Sequence, residues 1–415
     1  MITPTAESPI LIVGAGPVGL LIAVGLQRHG VPVQLLERRF HQPHPSRAST
    51  FQPAVLDCLD SFGLLPGLEQ LGRRVEHMAA WDLDADTHHD VSLLALGSST
   101  AHPYRLHLEQ RHLIDALEQR FERGSPGSLH RGLTVQHCDP SALNSDATGV
   151  VLEATDANGQ RHQFSGSWLI ATDGAHSQLR QSSGLAFEGV DLEAPVVRLY
   201  LRELPSVLAE KFAPLTYLRR GRRSLSCLQM LQGWRFILRP RQDEVTAALA
   251  TTSEPSEEST VACASAWSVA YLQDLFQGLV DPHLWQQLLT GQDHYFVAQR
   301  QVMTHCRGRL LLAGDAAHIT NTRGGLNMNF GLLEGMDLAE AIACWWHRRT
   351  IDLANTDPIN RWAQCWQQRV AEVLMPRTAR MSAVASVFDL SGDVDAALRQ
   401  QWLRQITLLD LEAQG

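Results

Sequence analysis

Lysine is almost missing from this chain. Lys211 is the only one in 415 residues, so nearly all of the 35 basic residues are arginines, set against 44 acidic ones for a net charge of −9. That balance argues against nucleic acid as a partner, because neutralising a phosphate backbone takes clustered Lys and Arg. Paired cysteine motifs are missing too. The seven cysteines (Cys58, Cys138, Cys227, Cys263, Cys306, Cys344 and Cys365) are odd in number and scattered without C-x-x-C spacing. This argues against a structural metal and a disulfide framework, and predicts a reduced, cytoplasmic setting. No apolar run reaches the ~20 residues of a membrane span. The nearest, Ile10 to Leu26, is interrupted by glycines that have another explanation, so no integral membrane segment is expected. At 44% hydrophobic and 19% charged residues the composition is that of a folded protein, long enough for two or three domains.

The organising stretch is ILIVGAGPVGLLIAVGLQRHGVPVQLLERR, from Ile10 to Arg39. Ile10 to Val13 reads as a fully buried strand, Pro17 to His29 as a helix, and Val33 to Leu36 as a second buried strand ending at Glu37. Between the first strand and the helix stand Gly14, Gly16 and Gly19 in G-x-G-x-x-G spacing. In that context Gly14 permits a tight turn, Gly16 lets backbone approach a pyrophosphate, and Gly19 lets helix and strand pack closely. The helix opening at Pro17 presents unpaired N–H groups to the phosphates. Glu37 is placed to accept hydrogen bonds from a ribose 2′-hydroxyl and disfavours a 2′-phosphate.

Two later stretches fall at strand ends. Trp168 to Ala171 is a buried strand running into Asp173 and Gly174, and Leu310 to Ala313 is another running into Gly314-Asp315-Ala316-Ala317-His318. Acidic groups at the C-terminal ends of parallel strands lie on the edge where open α/β sheets bind ligands. After the second stretch, Arg323-Gly324-Gly325 reads as a flexible loop and Asn329 to Ala343 as a helix. Gln110 and Arg111 open a helix carrying Leu113, Leu117 and Phe121, and Arg47 lies in the loop after Arg38. Residues Val75 to His102 and Leu185 to Pro240 have the alternation of short strands, with Gln232-Gly233 as a hairpin turn. Val261 to Leu289 reads as helical, and His88-His89 as a solvated loop. Tyr217, Arg219 and Gln229 sit on strands whose parity the sequence does not reveal. The predicted fold class is α/β, with a Rossmann-like nucleotide-binding domain (1–74, 103–184, 292–345), an inserted β-sheet substrate domain (75–102, 185–291) and a C-terminal helical region (346–415).

In order and spacing, GAGPVGLLIAVGL with Glu37-Arg38, SRASTFQP, LEQRHLIDAL, TDGAHSQLR and RLLLAGDAAH with GGLNMNFG resemble the class A FAD-dependent aromatic hydroxylases, flavoprotein monooxygenases of the 4-hydroxybenzoate hydroxylase fold. The resemblance implies that the dinucleotide is FAD, with the turn of Gly14, Gly16, Pro17 and Gly19 at its pyrophosphate and Glu37 at the adenosine ribose. Arg38 and Arg47 would contact its phosphates or ribityl region, Gln110 would touch the FAD from its helix, and Asp173 and Gly174 would serve FAD and a transient NADPH or NADH. Asp315 would bind the ribityl hydroxyls, and the backbone of Gly324, Gly325, Leu326, Asn327 and Met328 would cradle the flavin pyrimidine edge. The chain departs from the family pattern at Asn321-Thr322-Arg323, where members usually carry prolines, and at Leu326-Asn327, which replace Gln and Gly.

The implied chemistry is reduction of FAD by NAD(P)H, reaction with O2 to a C4a-hydroperoxide, and transfer of one oxygen to a small aromatic or polyketide-like substrate, by a monomer or homodimer. No catalytic residue is assigned. A halogenase is disfavoured, since no W-x-W-x-I-P motif accompanies the single lysine. A non-oxygenating FAD oxidoreductase and a flavin-sequestering scaffold are the alternatives.

Overall fold

The computed structural model describes residues 7–41, 48–144, 147–192, 195–240, 244, 267–348, 357–382 and 396–411. Its centre is a six-stranded sheet in the order Cys306–Arg307, Leu310–Leu312, Trp168–Ala171, Ile10–Val13, Val33–Glu37, Leu129–Arg131. Five strands are parallel and Cys306–Arg307 is antiparallel at the edge. Counted along the chain, the parallel strands run 3-2-1-4-5, the doubly wound order whose switch point lies between the first and fourth. Ile10–Val13 is buried along its whole length because the sheet is covered on both faces. Ile10, Ile12, Leu35, Ile170 and Leu311 face one core, and Leu11, Val13, Leu36, Leu169 and Leu310 the other.

Helix Pro17–Arg28 packs along helix Leu326–Arg348. The two approach so closely that a Cβ on Gly25 would lie 2.8 Å from Ala339 Cβ, and one on Gly335 would lie 3.1 Å from Ile22 Cγ1. Outside them Ile359, Trp362 and Trp366 of helix Asp357–Arg369 and Val370 of the following π-helical turn are buried.

A seven-stranded sheet stands beside this body, in the order Leu289–Tyr295, Val196–Leu201, Trp234–Leu238, Arg223–Gln229, Leu215–Arg220, His77–Asp82, Thr87–Ser92. The sheet therefore joins strands from both sequence segments read as the β-rich insert, and continues past residue 291 to Tyr295. Alternation divides its residues. Leu218, Leu225, Phe236 and Leu238 pack on an outer cluster with Leu272 and Phe276, while Met78, Leu215 and Leu228 join the core of the central body.

Two expectations are corrected. The stretch read as one helix is helical over 267–275, turns, forms the short helix Leu284–Leu288, and enters strand Leu289–Tyr295; residues 261–266 lie outside the described set. Gly278, at φ +81°, breaks the helical run. His88 and His89 lie on the edge strand Thr87–Ser92 and not in a loop, with His88 Nε2 2.9 Å from Lys211 O. Among the described residues no His, Cys, Asp and Glu cluster could hold a metal, and no helix is long and apolar enough to cross a membrane.

Candidate functional site

The C-terminal ends of four parallel strands meet at one crevice. Gly14 (φ +109°) turns the chain out of the first strand, and a Cβ there would overlap Thr172 O and lie 2.6 Å from Thr172 C. Gly19 is confined in the same way, since its Cβ would overlap Gly14 O and lie 2.5 Å from Thr172 Oγ1. Thr172 Oγ1 itself donates to Val13 O (3.0 Å) and Gly14 O (2.9 Å), stapling two strand ends together. Gly16 differs from both: a Cβ on it meets nothing within 4 Å, and no side chain caps the helix there. An uncapped helix N-terminus facing open space, with bare backbone at its entrance, fits a pyrophosphate. Glu37 sits at the end of the neighbouring strand, its Oε2 accepting from Ala15 N (2.9 Å) and its Oε1 from Arg39 N (2.9 Å). Arg38 is exposed beside it, and Arg47 lies outside the described residues. Gln110 opens helix Gln110–Gly124, with Oε1 3.4 Å from Ala48 N.

Asp173 turns partly inward. Its Oδ2 accepts from Gln178 N (2.9 Å) and Leu179 N (3.3 Å), while Oδ1 is buried without a partner. Burial raises its pKa, against the lowering effect of Ser177 and these N–H groups. Arg180, which follows, donates to Ala175 O (2.8 Å) and Ala316 O (2.9 Å). The buried guanidinium thus ties the Gly174 loop to the Asp315 loop.

Asp315 is exposed at the end of strand Leu310–Leu312, and its Oδ1 accepts from Asn327 Nδ2 (2.8 Å). Gly324 (φ +74°) and Gly325 (φ +63°) form the loop ahead of helix Leu326–Arg348. Two fully buried amides hold that loop. Gln52 Nε2 donates to Gly324 O (2.8 Å), and Asn329 Nδ2 donates to Gly325 O (2.6 Å) and Thr50 O (2.8 Å). Asn329 Oδ1 accepts from the Gln52 backbone N–H (2.8 Å), tying the two residues together. From the C-terminal helices comes a further brace, Asn321 Nδ2 donating to Thr378 O (2.8 Å).

Beneath this loop lies a charged cluster that sequence reasoning missed. Glu334 is fully buried, with Oε2 accepting from Gly314 N (2.7 Å) and His318 Nε2 (3.2 Å), and Oε1 3.0 Å from His305 Nε2. Burial alone would push its carboxyl up, but the charge on His318 and the neighbouring His305 overcome that and hold it at about 2. Burial likewise opposes a charge on His318, and Glu334 outweighs it, so the His318 pKa is raised. Both His318 nitrogens face acceptors, because Nδ1 also donates to Asn327 Oδ1 (3.2 Å). Asn327 therefore connects Asp315 to the cluster. The available signal was a lone carboxylate within the apolar run Leu332-Leu333-Glu334-Gly335-Met336.

The seven-stranded sheet turns a polar face toward this loop. Tyr217, Ser226 and Ile237 are cross-strand neighbours, and Arg219 and Arg239 follow with the same parity. Gln229 has the opposite parity to Ser226. Thr322 Oγ1, in the loop, accepts from Tyr295 OH (3.2 Å) and Arg239 Nη2 (3.5 Å), closing the gap between sheet and loop.

Comparison with known proteins agrees with this geometry. The profile of the FAD binding domain family matches residues 7–356. The para-nitrophenol 4-monooxygenase of Pseudomonas sp. (strain WBC-3) is 28% identical over 349 residues, covering 80% of this chain and 77% of that protein. The 6-methylpretetramide 4-monooxygenase of Streptomyces rimosus is also 28% identical, over 82% of this chain but only 56% of its own length. In three dimensions the p-nitrophenol 4-monooxygenase of Pseudomonas putida DLL-E4 superposes with a TM-score of 0.76, at 24% identity, over 98% of this chain and 94% of the other.

Proposed function

Because this chain belongs to the FAD binding domain family, we propose that it is an FAD-dependent monooxygenase which uses NADPH or NADH and O2 to place one oxygen atom on a small aromatic or polyketide-like molecule. One observation carries the reading. The strand ends at Gly14, Asp173 and Asp315 open on one crevice, and the loop from Gly324 runs from that crevice to the polar face of the seven-stranded sheet. FAD, when bound, supplies hydride acceptance and oxygen activation. The chain supplies position. Gly16 and the N-terminus of helix Pro17–Arg28 would hold the pyrophosphate, with Gly14 and Gly19 setting the turn. Glu37 would take the adenosine ribose, Arg38 and Arg47 the phosphates or ribityl region, and Asp315 the ribityl hydroxyls, while Gln110 would touch the FAD from its helix. Asp173 and Gly174 would serve FAD and the nicotinamide. The backbone from Gly324 through Gly325, Leu326 and Asn327 to Met328 would aim N–H groups and a helix dipole at the pyrimidine edge, where negative charge develops on reduction.

Residues 75–102 and 185–291 would form the substrate-binding domain over the flavin, 1–74, 103–184 and 292–345 the FAD-binding domain, and 346–415 the supporting helices. We place the protein in the cytoplasm as a monomer or homodimer. The relatives named para-nitrophenol and 6-methylpretetramide monooxygenases support an electron-rich aromatic substrate.

The test is NAD(P)H oxidation by the FAD-loaded protein under air, across phenols, hydroxybenzoates and polyketide-like aromatics. Substrate-stimulated consumption with a product heavier by one oxygen atom is expected; a yellow protein whose flavin reduction no aromatic accelerates would overturn the reading. Asp315→Ala should weaken FAD by at least about tenfold, the loss expected when charged hydrogen bonds are removed. Normal flavin retention in that variant, measured by fluorescence titration of the apoprotein, would remove Asp315 from the ribityl site.

A further inference from the structure

On the inward face of the seven-stranded sheet most arginines are already matched to carboxylates. Arg198 Nε donates to Asp293 Oδ1 (2.7 Å), Arg219 Nε donates to Asp82 Oδ2 (2.6 Å), and the buried Arg235 pairs with Glu109. Arg239, one strand position beyond Leu238 and on the same face as Ile237, has no such match. Its hydrogen-bond partners among the described residues are two neutral hydroxyls at the limit of bonding distance, Ser226 Oγ (3.5 Å) and Thr322 Oγ1 (3.5 Å). The residue after Thr322 is Arg323, a second guanidinium entering from the flavin-side loop, and no described carboxylate lies at ion-pair distance from it either. Both side chains are half-buried.

Two enclosed like charges with no counterion among the described residues are an unfavourable arrangement, since burying an unpaired cation costs roughly several kcal/mol. The cost shows in their acidity. Burial, then the nearby Arg239, pull Arg323 down to about 10, and burial lowers Arg239. Among the described residues the other arginines of this face, Arg198, Arg219 and Arg235, are paired with carboxylates, so the imbalance is local to the gap between sheet and loop. Tyr217 and Tyr295 border the same gap and supply aromatic walls, Tyr295 through its bond to Thr322 and Tyr217 through its register with Ser226. An anion on an aromatic ring would complete the set: two guanidinium forks for the oxyanion and ring faces for the rest.

We propose that Arg239 and Arg323 form an anion subsite, which selects aromatic substrates bearing an oxyanion, a carboxylate or an ionised phenol. The proposal rests on the monooxygenase reading only for the location of the flavin. It assigns a purpose to Arg323, which stands where related loops usually carry proline.

The FAD-loaded protein is titrated with three matched pairs, benzoate and benzamide, 1-naphthoate and 1-naphthamide, and 2-anthroate and its amide, with flavin absorbance as the readout. For at least one pair the acid should bind tighter than the amide by roughly a factor of ten, the scale of a charge-assisted hydrogen bond. Arg239→Gln and the double variant Arg239→Gln/Arg323→Gln should reduce that preference to near unity, and Arg239→Lys should restore part of it. Flavin content is measured in each variant so that cofactor loss is not mistaken for ligand loss. Ionised phenols are separated from carboxylates by repeating the titration with 4-nitrophenol on both sides of its ionisation. No preference in the wild type, no perturbation by any acid, or a preference that survives in the double variant each overturns the subsite. Oxygenation of neutral aromatics without acid preference would sink the subsite and leave the monooxygenase standing; acid preference without turnover would do the reverse.

Discussion

Glu334→Ala is expected to destabilise the protein by about 3–5 kcal/mol, the range seen when one partner of a buried ion pair is removed. Three groups depend on that carboxylate. Gly314 N–H loses its acceptor, His318 loses the carboxylate that raises its pKa, and the His305 ring loses the carboxylate oxygen 3.0 Å from its Nε2. The consequence reaches the crevice, because Gly314 precedes Asp315 and His318 is bonded to Asn327, the residue that holds Asp315. Reduced FAD affinity should therefore accompany the lost stability. Glu334→Gln keeps the volume and an acceptor but not the charge, and should fall between the wild type and the alanine variant. Urea unfolding of the apoproteins decides the matter, and an alanine variant within about 1 kcal/mol of the wild type would show that the cluster is incidental.

The same cluster fixes the sign of a pH dependence. Glu334 is held below its ordinary value of 4.5, at about 2, so its contribution is complete above pH 4.5 and is lost as pH falls toward 2. His318 is shifted the other way, above 6.5, so its contribution is complete below 6.5 and is lost as pH rises through the folded-state value. The pair thus contributes most between 4.5 and 6.5, and in Glu334→Gln both limbs of the stability profile should flatten.

The geometry of the strand-end crevice was legible in the sequence because its elements are local. Strand, glycines, helix and acid lie within thirty residues of one another, and the later strand ends carry their acids directly after an apolar run. The loop at Gly324 and Gly325 was legible only in outline. What holds it is Gln52 to Asn329 and Asn321 to Thr378, amides whose partners lie far along the chain or on another element. A buried amide announces no partner until the fold brings one. Parity on the inserted sheet was equally hidden, since a shift of one residue exchanges the two faces. The misread helix had a usable signal, Gly278 and Pro282 within the apolar spacing of Leu272 to Leu289, outweighed by the helical periodicity on either side.

Gly16 and Gly19 should separate folding from binding. Gly19→Ala places a methyl group against Gly14 O and Thr172 Oγ1, and the helix has no room to retreat because Gly25 and Gly335 already bring it against Ala339 and helix Leu326–Arg348. Overpacking of a site that cannot relax costs about 3 kcal/mol or more, so the apoprotein should melt well below the wild type. Gly16→Ala meets no protein atom within 4 Å and its φ of −76° suits any L-residue. Its apoprotein should keep its stability to within about 0.5 kcal/mol. FAD affinity, by contrast, should fall by roughly a hundredfold, because the methyl group occupies the space that lets backbone approach the pyrophosphate. Thermal melts of the two apoproteins and FAD titration by fluorescence give the four numbers needed. If Gly16→Ala binds FAD as the wild type does, the diphosphate does not pass over this turn. If Gly19→Ala melts normally, the two helices can slide as a pair, and the close contacts at Gly25 and Gly335 do not anchor the crevice.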